Sequence, residues 1–196
     1  MKTTKPAINV NDMLTEEQNK AIALARFQNT PYFILTDAKE SIIYEGDEKE
    51  ARADFDAQSE DKEGIIDFFM YCADNLPVIE PIDGDEERDG YIVLTDEEAD
   101  EMAKRYIIDT LWAFTPSFLA SETGLDEEIF QAIADNGKCE DNNDTIYNTI
   151  KRLGDIDNFV SDAISADGRG HFMSSYDGNE NEENVNGTTY FIYRIN

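Results

Sequence analysis

The chain has 196 residues and carries 44 acidic against 16 basic side chains, a formal net charge of −28. Over the roughly 9,400 Å² of surface expected for its mass, this is about one uncompensated negative charge per 340 Å². Such a surface repels nucleic acid and anionic membranes and attracts basic partners, so we expect neither direct nucleic-acid binding nor membrane association.

The N-terminal part is predicted to combine a helix with a β-hairpin. Residues 15–18, Thr-Glu-Glu-Gln, have the pattern of a capping box, and apolar residues at helical spacing follow them. Residues 32–35 and 42–44 are short β-forming stretches on either side of the Asp-Ala-Lys sequence 37–39, which predicts a hairpin.

The middle part is predicted to hold two helices around an exposed segment. The Ile, Phe and Met cluster of residues 62–73 indicates a helix. Residues 83–90 are Asp, Glu and Gly apart from one Arg, which is typical of an exposed linker and favours a domain boundary near 82–90. Residues 91–94 predict a strand, and a second capping box at 95–98 opens a helix expected to run through Trp112.

The C-terminal part is predicted to be helical and to end in a hairpin. Four short helices are expected over residues 116–120, 126–134, 143–153 and 157–166. Residues 188–195 alternate as a strand does, and residues 172–176 are expected to pair with them across the polar link 177–187.

These elements predict an α+β fold, mostly helical, with a small antiparallel sheet that includes the C-terminal strand. The organisation we expect is an acidic N-terminal α+β region over 1–82, the linker 83–90, and a helical region with the hairpin over 91–196. A single compact domain is the alternative for a chain of this length.

Cysteine usage and hydropathy bear on the compartment. Cys72 and Cys139 are far apart in the sequence and have no neighbouring His, which favours free thiols in a reducing compartment over a disulfide or a zinc site. The N-terminal residues lack the apolar core of a signal peptide, and no stretch approaches the ~20 apolar residues of a membrane span. We therefore expect a cytoplasmic protein.

His171 is the single histidine and follows the last predicted helix in a glycine-rich segment. A hydrolase would use it as a general base with Asp167, Asp177 or Tyr176 nearby. A small enzyme or ligand-binding protein would use it together with Arg169, Tyr176 and Asp177. No nucleophile motif accompanies it, so we favour a turn in which His171 caps or packs and Arg169 binds an internal carboxylate.

Residues 177–182 resemble the start of a calcium-binding EF-hand loop, because oxygen-bearing side chains occupy its first, third and fifth positions. The sixth position is Glu182 instead of Gly and the twelfth is Thr188 instead of Glu, so we predict an Asn/Asp turn. The chain also lacks phosphate-binding and dinucleotide motifs. We expect a non-enzymatic protein with no metal and no cofactor.

Three aromatic residues, Trp112, Phe114 and Phe118, lie at helical spacing around the break at Thr115-Pro116. Core packing and an aromatic binding patch both explain such spacing. We favour core packing, because aromatic residues at this spacing are more often buried.

The acidic residues are concentrated in the middle of the chain, where residues 37–103 hold 24 acidic and 5 basic side chains. Carboxylates one helical turn apart are separated by about 5–6 Å, and duplex DNA carries one charge per ~1.7 Å of axis. Clustered Asp and Glu can therefore approximate a duplex, although a solubilising or halophilic surface is the alternative. We assign partner contacts to nine residues: Asp83, Asp85, Glu86, Glu87, Asp96, Glu97, Glu98, Asp100 and Glu101.

Two stretches carry a resemblance to known sequences. One is YIVLTDEEAD at residues 91–100, continued at 111–114 and 118–120, and the other is DGRGHFMSSYDG at 167–178, continued at 190–196. They resemble segments of small uncharacterised acidic proteins of bacteriophages and mobile elements over residues 77–196. The resemblance carries no established activity, but it implies a phage setting and hence the host cytoplasm.

The expected function combines that setting with the charge. DNA-mimic antirestriction and anti-CRISPR proteins share this acidity, as a class analogy and not a motif match. We expect a phage-type acidic protein that binds the basic nucleic-acid site of a host defence or DNA-handling protein, as a DNA mimic. The alternatives are a small enzyme or ligand-binding protein that uses the Gly-Arg-Gly-His segment, and a phage structural or assembly protein.

Overall fold

A computed structural model describes residues 14–37, 39–58, 65–136 and 139–196, with backbone alone for Ile65, Asn136 and Cys139. It confirms the α+β class. Its contacts divide the chain into two units: the first runs up to residue 95 and includes 181–192, and the second comprises 96–180 and 193–196.

Among its described residues, the first unit contains three helices and two small sheets. Its elements are α1 (Glu16–Phe27), β1 (Tyr32–Thr36), β2 (Ser41–Glu45), α2 (Glu48–Gln58), α3 (Ile65–Asn75), β3 (Tyr91–Leu94), β4 (Asn181–Val185) and most of β5 (Thr188–Arg194). The predicted capping box is confirmed, because the Thr15 hydroxyl accepts the Gln18 N–H while the Gln18 side chain accepts the Thr15 N–H. The predicted strand at 91–94 is confirmed as β3.

The predicted N-terminal hairpin is also confirmed. β1 and β2 pair antiparallel, with Tyr32 opposite Glu45 and Thr36 opposite Ser41. The loop prediction at 37–39 includes Ala38, which lies outside the described residues. A second sheet has the strand order β3-β5-β4, and α1 packs Ile22 and Leu24 into the core that this sheet shares with Ile43 of β2.

Two predictions for the first unit need correction. Helix α2 was missed, because Ala51 and Phe55 are its buried residues and so weak an apolar pattern gives little periodicity. The helix predicted over 62–73 is observed as α3 from Ile65 to Asn75; residues 62–64 lie outside the described part.

The prediction that residues 172–176 pair with the C-terminal strand is wrong. Phe172 and Met173 are helical, and β4 is the antiparallel partner, with Asn181 opposite Ile192. The positive φ angles of Asn186 (55°) and Gly187 (87°) suit a two-residue turn whose twist matches the strands it joins. The composition of β4 is mostly polar, which is typical of a loop, and this is why the strand was not predicted.

The second unit is helical. Its elements are α4 (Asp96–Asp109), α5 (Pro116–Thr123), α6 (Glu127–Asn136), α7 (Asn143–Leu153), α8 (Ile156–Asp167), α9 (Arg169–Met173) and short 3₁₀ turns at Leu111–Ala113 and Cys139–Asn142. Helices α5 to α8 confirm the four predicted helices to within three residues at each end. Their buried faces form one core that includes Ile107, Phe130 and Phe159. In the described part of the chain, no helix has the length and apolar character needed to cross a membrane.

Helix α4 is shorter than predicted, since it ends at Asp109 and not at Trp112. The Asn143 side chain explains this end: its amide donates to the Ile108 carbonyl at 2.8 Å, and its oxygen accepts the Trp112 N–H at 3.2 Å. A side chain distant in sequence thus satisfies backbone groups that a continuing helix would have paired.

The thiol of Cys72 is fully buried and free, as predicted. Burial raises its pKa to about 11. The side chain of Cys139 lies outside the described part, so the prediction for that thiol stays a prediction.

Candidate partner-binding surface

The acidic loop of the first unit, residues 83–87, is held by cations that bind its backbone. The ammonium of Lys20, which is buried, donates to the Gly84 carbonyl at 2.9 Å. Arg88 follows the loop and donates to the carbonyls of Glu80 and Pro81, the latter at 2.9 Å. Cations therefore bind carbonyl oxygens both within the loop and immediately before it.

The four predicted contact residues of this loop are all exposed: Asp83, Asp85, Glu86 and Glu87. The Glu86 carboxylate also lies 3.6 Å from the Arg88 guanidinium, with half of its side chain exposed. The loop presents these acidic residues at the surface, and Lys20 and Arg88 donate to carbonyls in and beside it. The linker assignment for 83–90 stays a prediction.

The acidic helix start of the second unit, residues 96–101, has one buried and one charged face. Ala99, Ala103 and Ile107, spaced four residues apart, are fully buried. This burial turns Asp96, Glu97, Asp100 and Glu101 outward; all four are exposed and line one shallow depression of about 540 Å³ with Lys104. Glu98, also predicted to contact a partner, is half-buried.

Arg169 lies beneath this face and binds three carboxylates. Its Nη1 donates to Asp96 Oδ1 at 2.7 Å and to Asp100 Oδ1 at 2.9 Å, and its Nε donates to Glu180 Oε2 at 2.9 Å. Burial disfavours the charge, but the hydrogen bonds to Glu180 and Asp96 outweigh it and raise the Arg169 pKa. The prediction that Arg169 binds an internal carboxylate is confirmed. We call these four residues the Arg169 cluster.

Buried groups fix the geometry of the Arg169 cluster. The Tyr193 hydroxyl, on a fully buried side chain, donates to Glu180 Oε2 at 2.5 Å. Burial first, and then this bond to a carboxylate, raise the Tyr193 pKa. Gly170 is required here, because a Cβ would lie 2.5 Å from the Gly178 carbonyl oxygen. The close approach of α9 to the turn at 178–180 brings Arg169 to Glu180.

The Arg169 cluster leaves the surface negative. One guanidinium faces three carboxylates, and the side chains of Asp96 and Asp100 remain 73% and 64% exposed. The N-terminal end of α4 supplies a partial positive charge that stabilises them without neutralising them. The acidic helix start can therefore accept further hydrogen bonds from an approaching guanidinium or ammonium group.

The other candidates for chemistry are used structurally. Asp177 accepts the Asn179 N–H at 3.0 Å and the Ser174 hydroxyl at 2.8 Å, which confirms the predicted Asn/Asp turn and lowers the Asp177 pKa. The Tyr176 ring lies 3.7 Å from the Arg194 guanidinium. Within the part of the chain that the structure describes, no cluster of three His, Cys, Asp or Glu is placed to hold a metal ion.

The predicted core packing of Trp112, Phe114 and Phe118 is observed, but all three are half-buried at the edge of the second unit's core. They also line a cleft of about 410 Å³ that His171 and Phe172 border. His171 is exposed and packs edge-on against the Phe172 ring at 5.0 Å. Sequence reasoning did not connect these residues, because the contact depends on how α9 packs.

Comparison with protein families, with curated proteins and with solved structures found no match to this chain.

Proposed function

We propose that this protein binds the basic nucleic-acid site of a host defence or DNA-handling protein and acts there as a non-enzymatic DNA mimic. The observation that carries the proposal is the acidic helix start. Four exposed acidic residues share one depression with Lys104, and the half-buried Arg169 is already shared among three acids.

The charge spacing of this helix is close to that of a duplex. An α-helix rises 1.5 Å per residue, so the four exposed acids from Asp96 to Glu101 fall within about 7.5 Å of axis. This gives one exposed carboxylate per roughly 1.9–2.5 Å, against ~1.7 Å per phosphate charge in duplex DNA. A surface built to hold phosphates therefore meets a similar charge density here.

The acidic loop supports the same proposal in the first unit. Its acidic side chains are exposed, while Lys20 donates to the Gly84 carbonyl within the loop and Arg88 donates to the Pro81 carbonyl just before it. A phage or mobile-element setting, which the sequence resemblance implies, would make a host nucleic-acid enzyme the natural target.

The test is capture from a bacterial lysate on the immobilised full chain, followed by elution with a 30-base-pair duplex and, separately, with a salt gradient. Since the proposal requires the target's nucleic-acid site, duplex DNA should displace the captured protein. A charge-driven complex should also be released steeply as salt rises. Retention of all captured protein in the presence of excess duplex would contradict mimicry.

Matched variants locate the contact. Glu97→Gln with Glu101→Gln removes two exposed carboxylates from the acidic helix start. The control is Glu127→Gln with Glu128→Gln, which makes the same charge change at the exposed first turn of α6. We expect the first pair to weaken capture at least tenfold relative to the control. Equal capture by both would remove the assignment to α4.

A further inference from the structure

The aromatic cleft of the second unit has the features of a ligand site that the acidic surface does not use. Its volume of about 410 Å³ falls within the roughly 300–1,000 Å³ range of small-molecule pockets. Its wall is a row of rings: Tyr106 to Phe172 at 6.4 Å, Phe172 to Phe114 at 6.2 Å, and Phe114 to Phe118 at 5.5 Å between centroids. Trp112 completes the lining.

The polar groups of the cleft restrict what it can bind. The Thr110 hydroxyl donates to the Tyr106 carbonyl and the Thr115 hydroxyl accepts the Phe118 N–H, so both are engaged within the protein. Among the described residues that line the cleft, Asp167 supplies a carboxylate and His171 an imidazole, and no Lys or Arg occurs. Its carboxylate is exposed at the end of α8.

From this arrangement we propose that the cleft binds a small aromatic cation, meaning a planar ring that carries a quaternary ammonium or similar positive group. Ring faces attract cations through their quadrupole. Asp167 adds a full negative charge at the rim, and a net charge of −28 concentrates cations near the protein. An anionic ligand of the same shape meets the opposite field. The proposal is independent of the acidic helix start.

The chain offers a direct readout, because Trp112 is its single tryptophan and lines the cleft. Trp112 fluorescence would be titrated with phenyltrimethylammonium, with its neutral isostere tert-butylbenzene, and with benzenesulfonate. We expect saturable binding of the cation, weaker binding of the neutral isostere and no saturable binding of the anion. Equal responses to the cation and the anion would overturn the proposal.

Two variants tie the signal to the cleft. Ala166→Phe fills it from an exposed position in the last turn of α8 and should weaken cation binding at least tenfold. Asp167→Asn should weaken binding of the cation by about three- to fivefold and leave binding of the neutral isostere unchanged. The control Asp162→Asn removes an exposed charge from the same helix outside the cleft and should change neither.

The remaining outcomes are decisive as well. Cation binding that persists in a folded Ala166→Phe variant would place the probe elsewhere and overturn the proposal. If Ala166→Phe does not fold, Asp167→Asn against Asp162→Asn decides, and equal affinities contradict the assignment. Loss of lysate capture in Ala166→Phe, without any probe binding to the native chain, would instead assign the cleft to a protein interface.

Discussion

The acidic loop and the acidic helix start both present carboxylates to solvent, but they use their cations differently. At the loop, Lys20 donates to the Gly84 carbonyl and Arg88 donates to the carbonyls of Glu80 and Pro81 that precede it. At the helix start, Arg169 donates to the carboxylates of Asp96, Asp100 and Glu180. Cations thus bind backbone carbonyls in and beside the loop, whereas the helix start is attached to α9 through its acids.

In the acidic loop, charge can therefore be changed separately from structure. At the acidic helix start, the same carboxylates contribute to both. Neutralising Asp83 of the loop should change the surface potential with little effect on stability. Neutralising a member of the Arg169 cluster should change both. Neither Glu97 nor Glu101 contacts Arg169, so neutralising them changes the charge of the helix start without removing a contact of the Arg169 cluster. They are therefore the residues substituted in the lysate-capture experiment.

The largest expected effect comes from removing the shared cation. Arg169→Met should leave Asp96, Asp100 and Glu180 facing one another without compensation. We expect the free energy of unfolding to fall by about 2–4 kcal/mol. This is less than the roughly 3–5 kcal/mol lost when one partner of a fully buried ion pair is removed, because two of the acids are exposed. Urea denaturation followed by Trp112 fluorescence measures the second unit, where this residue lies.

A control separates the Arg169 cluster from loss of charge alone. Arg152→Met makes the same substitution at an exposed position in the last turn of α7 and should cost at most about 0.5 kcal/mol. A cost of Arg169→Met no greater than that of Arg152→Met would show that the Arg169 cluster contributes no stability.

The next effect concerns the loop. Lys20→Met keeps the aliphatic stem but removes the ammonium that binds the Gly84 carbonyl. We expect a loss of about 1–2 kcal/mol, because a hydrogen bond from a charged donor is lost while the cost of burying that charge is relieved. Faster hydrogen exchange at residues 83–87 would report the loosened loop.

Lys49→Met serves as the comparison for this substitution. Lys49 is exposed on α2, so its replacement changes the net charge equally and should leave exchange in the loop unchanged. If both variants behave alike, the loop conformation does not depend on the contact from Lys20, and the contrast with the helix start is lost.

The sequence predicts local features of both units well. The capping box at Thr15, the α7 limits and the exposure of Asp83 to Glu87 all follow from short-range patterns. Such features depend on neighbouring residues, whose side chains and backbone groups interact within one or two turns.

What the sequence misses depends on residues distant along the chain. The end of α4 is set by Asn143, and Arg169 selects Asp96, Asp100 and Glu180 from among many acids only once α9 packs beside α4. The strand β4 is not predicted because its alternate residues face solvent and its composition is polar, as in a loop. Its pairing with β5 stabilises it as a strand.

Two buried tyrosines extend the comparison into the cores. The Tyr193 hydroxyl binds Glu180, whereas the Tyr44 hydroxyl is buried and has no hydrogen-bond partner among the described residues. Tyr193→Phe should therefore cost about 1–2 kcal/mol, and Tyr44→Phe should be neutral or stabilise by up to about 1 kcal/mol. Thermal and urea unfolding of the two variants, measured side by side, check the opposite signs; losses of equal size would contradict the contrast.

The smallest effect tests the comparison most directly, with one acid from each region. Asp96→Asn weakens a hydrogen bond from Arg169 and removes a charge favoured by the start of α4, so it should cost about 0.5–1 kcal/mol. Asp83→Asn lies in the acidic loop and should stay within about 0.5 kcal/mol of the native chain, since relief of repulsion offsets any local loss. Raising the salt concentration to 1 M should shrink the difference between them, because screening weakens exposed ion pairs. A larger cost at Asp83 than at Asp96 would mean that the carboxylates, and not the carbonyls, hold the loop.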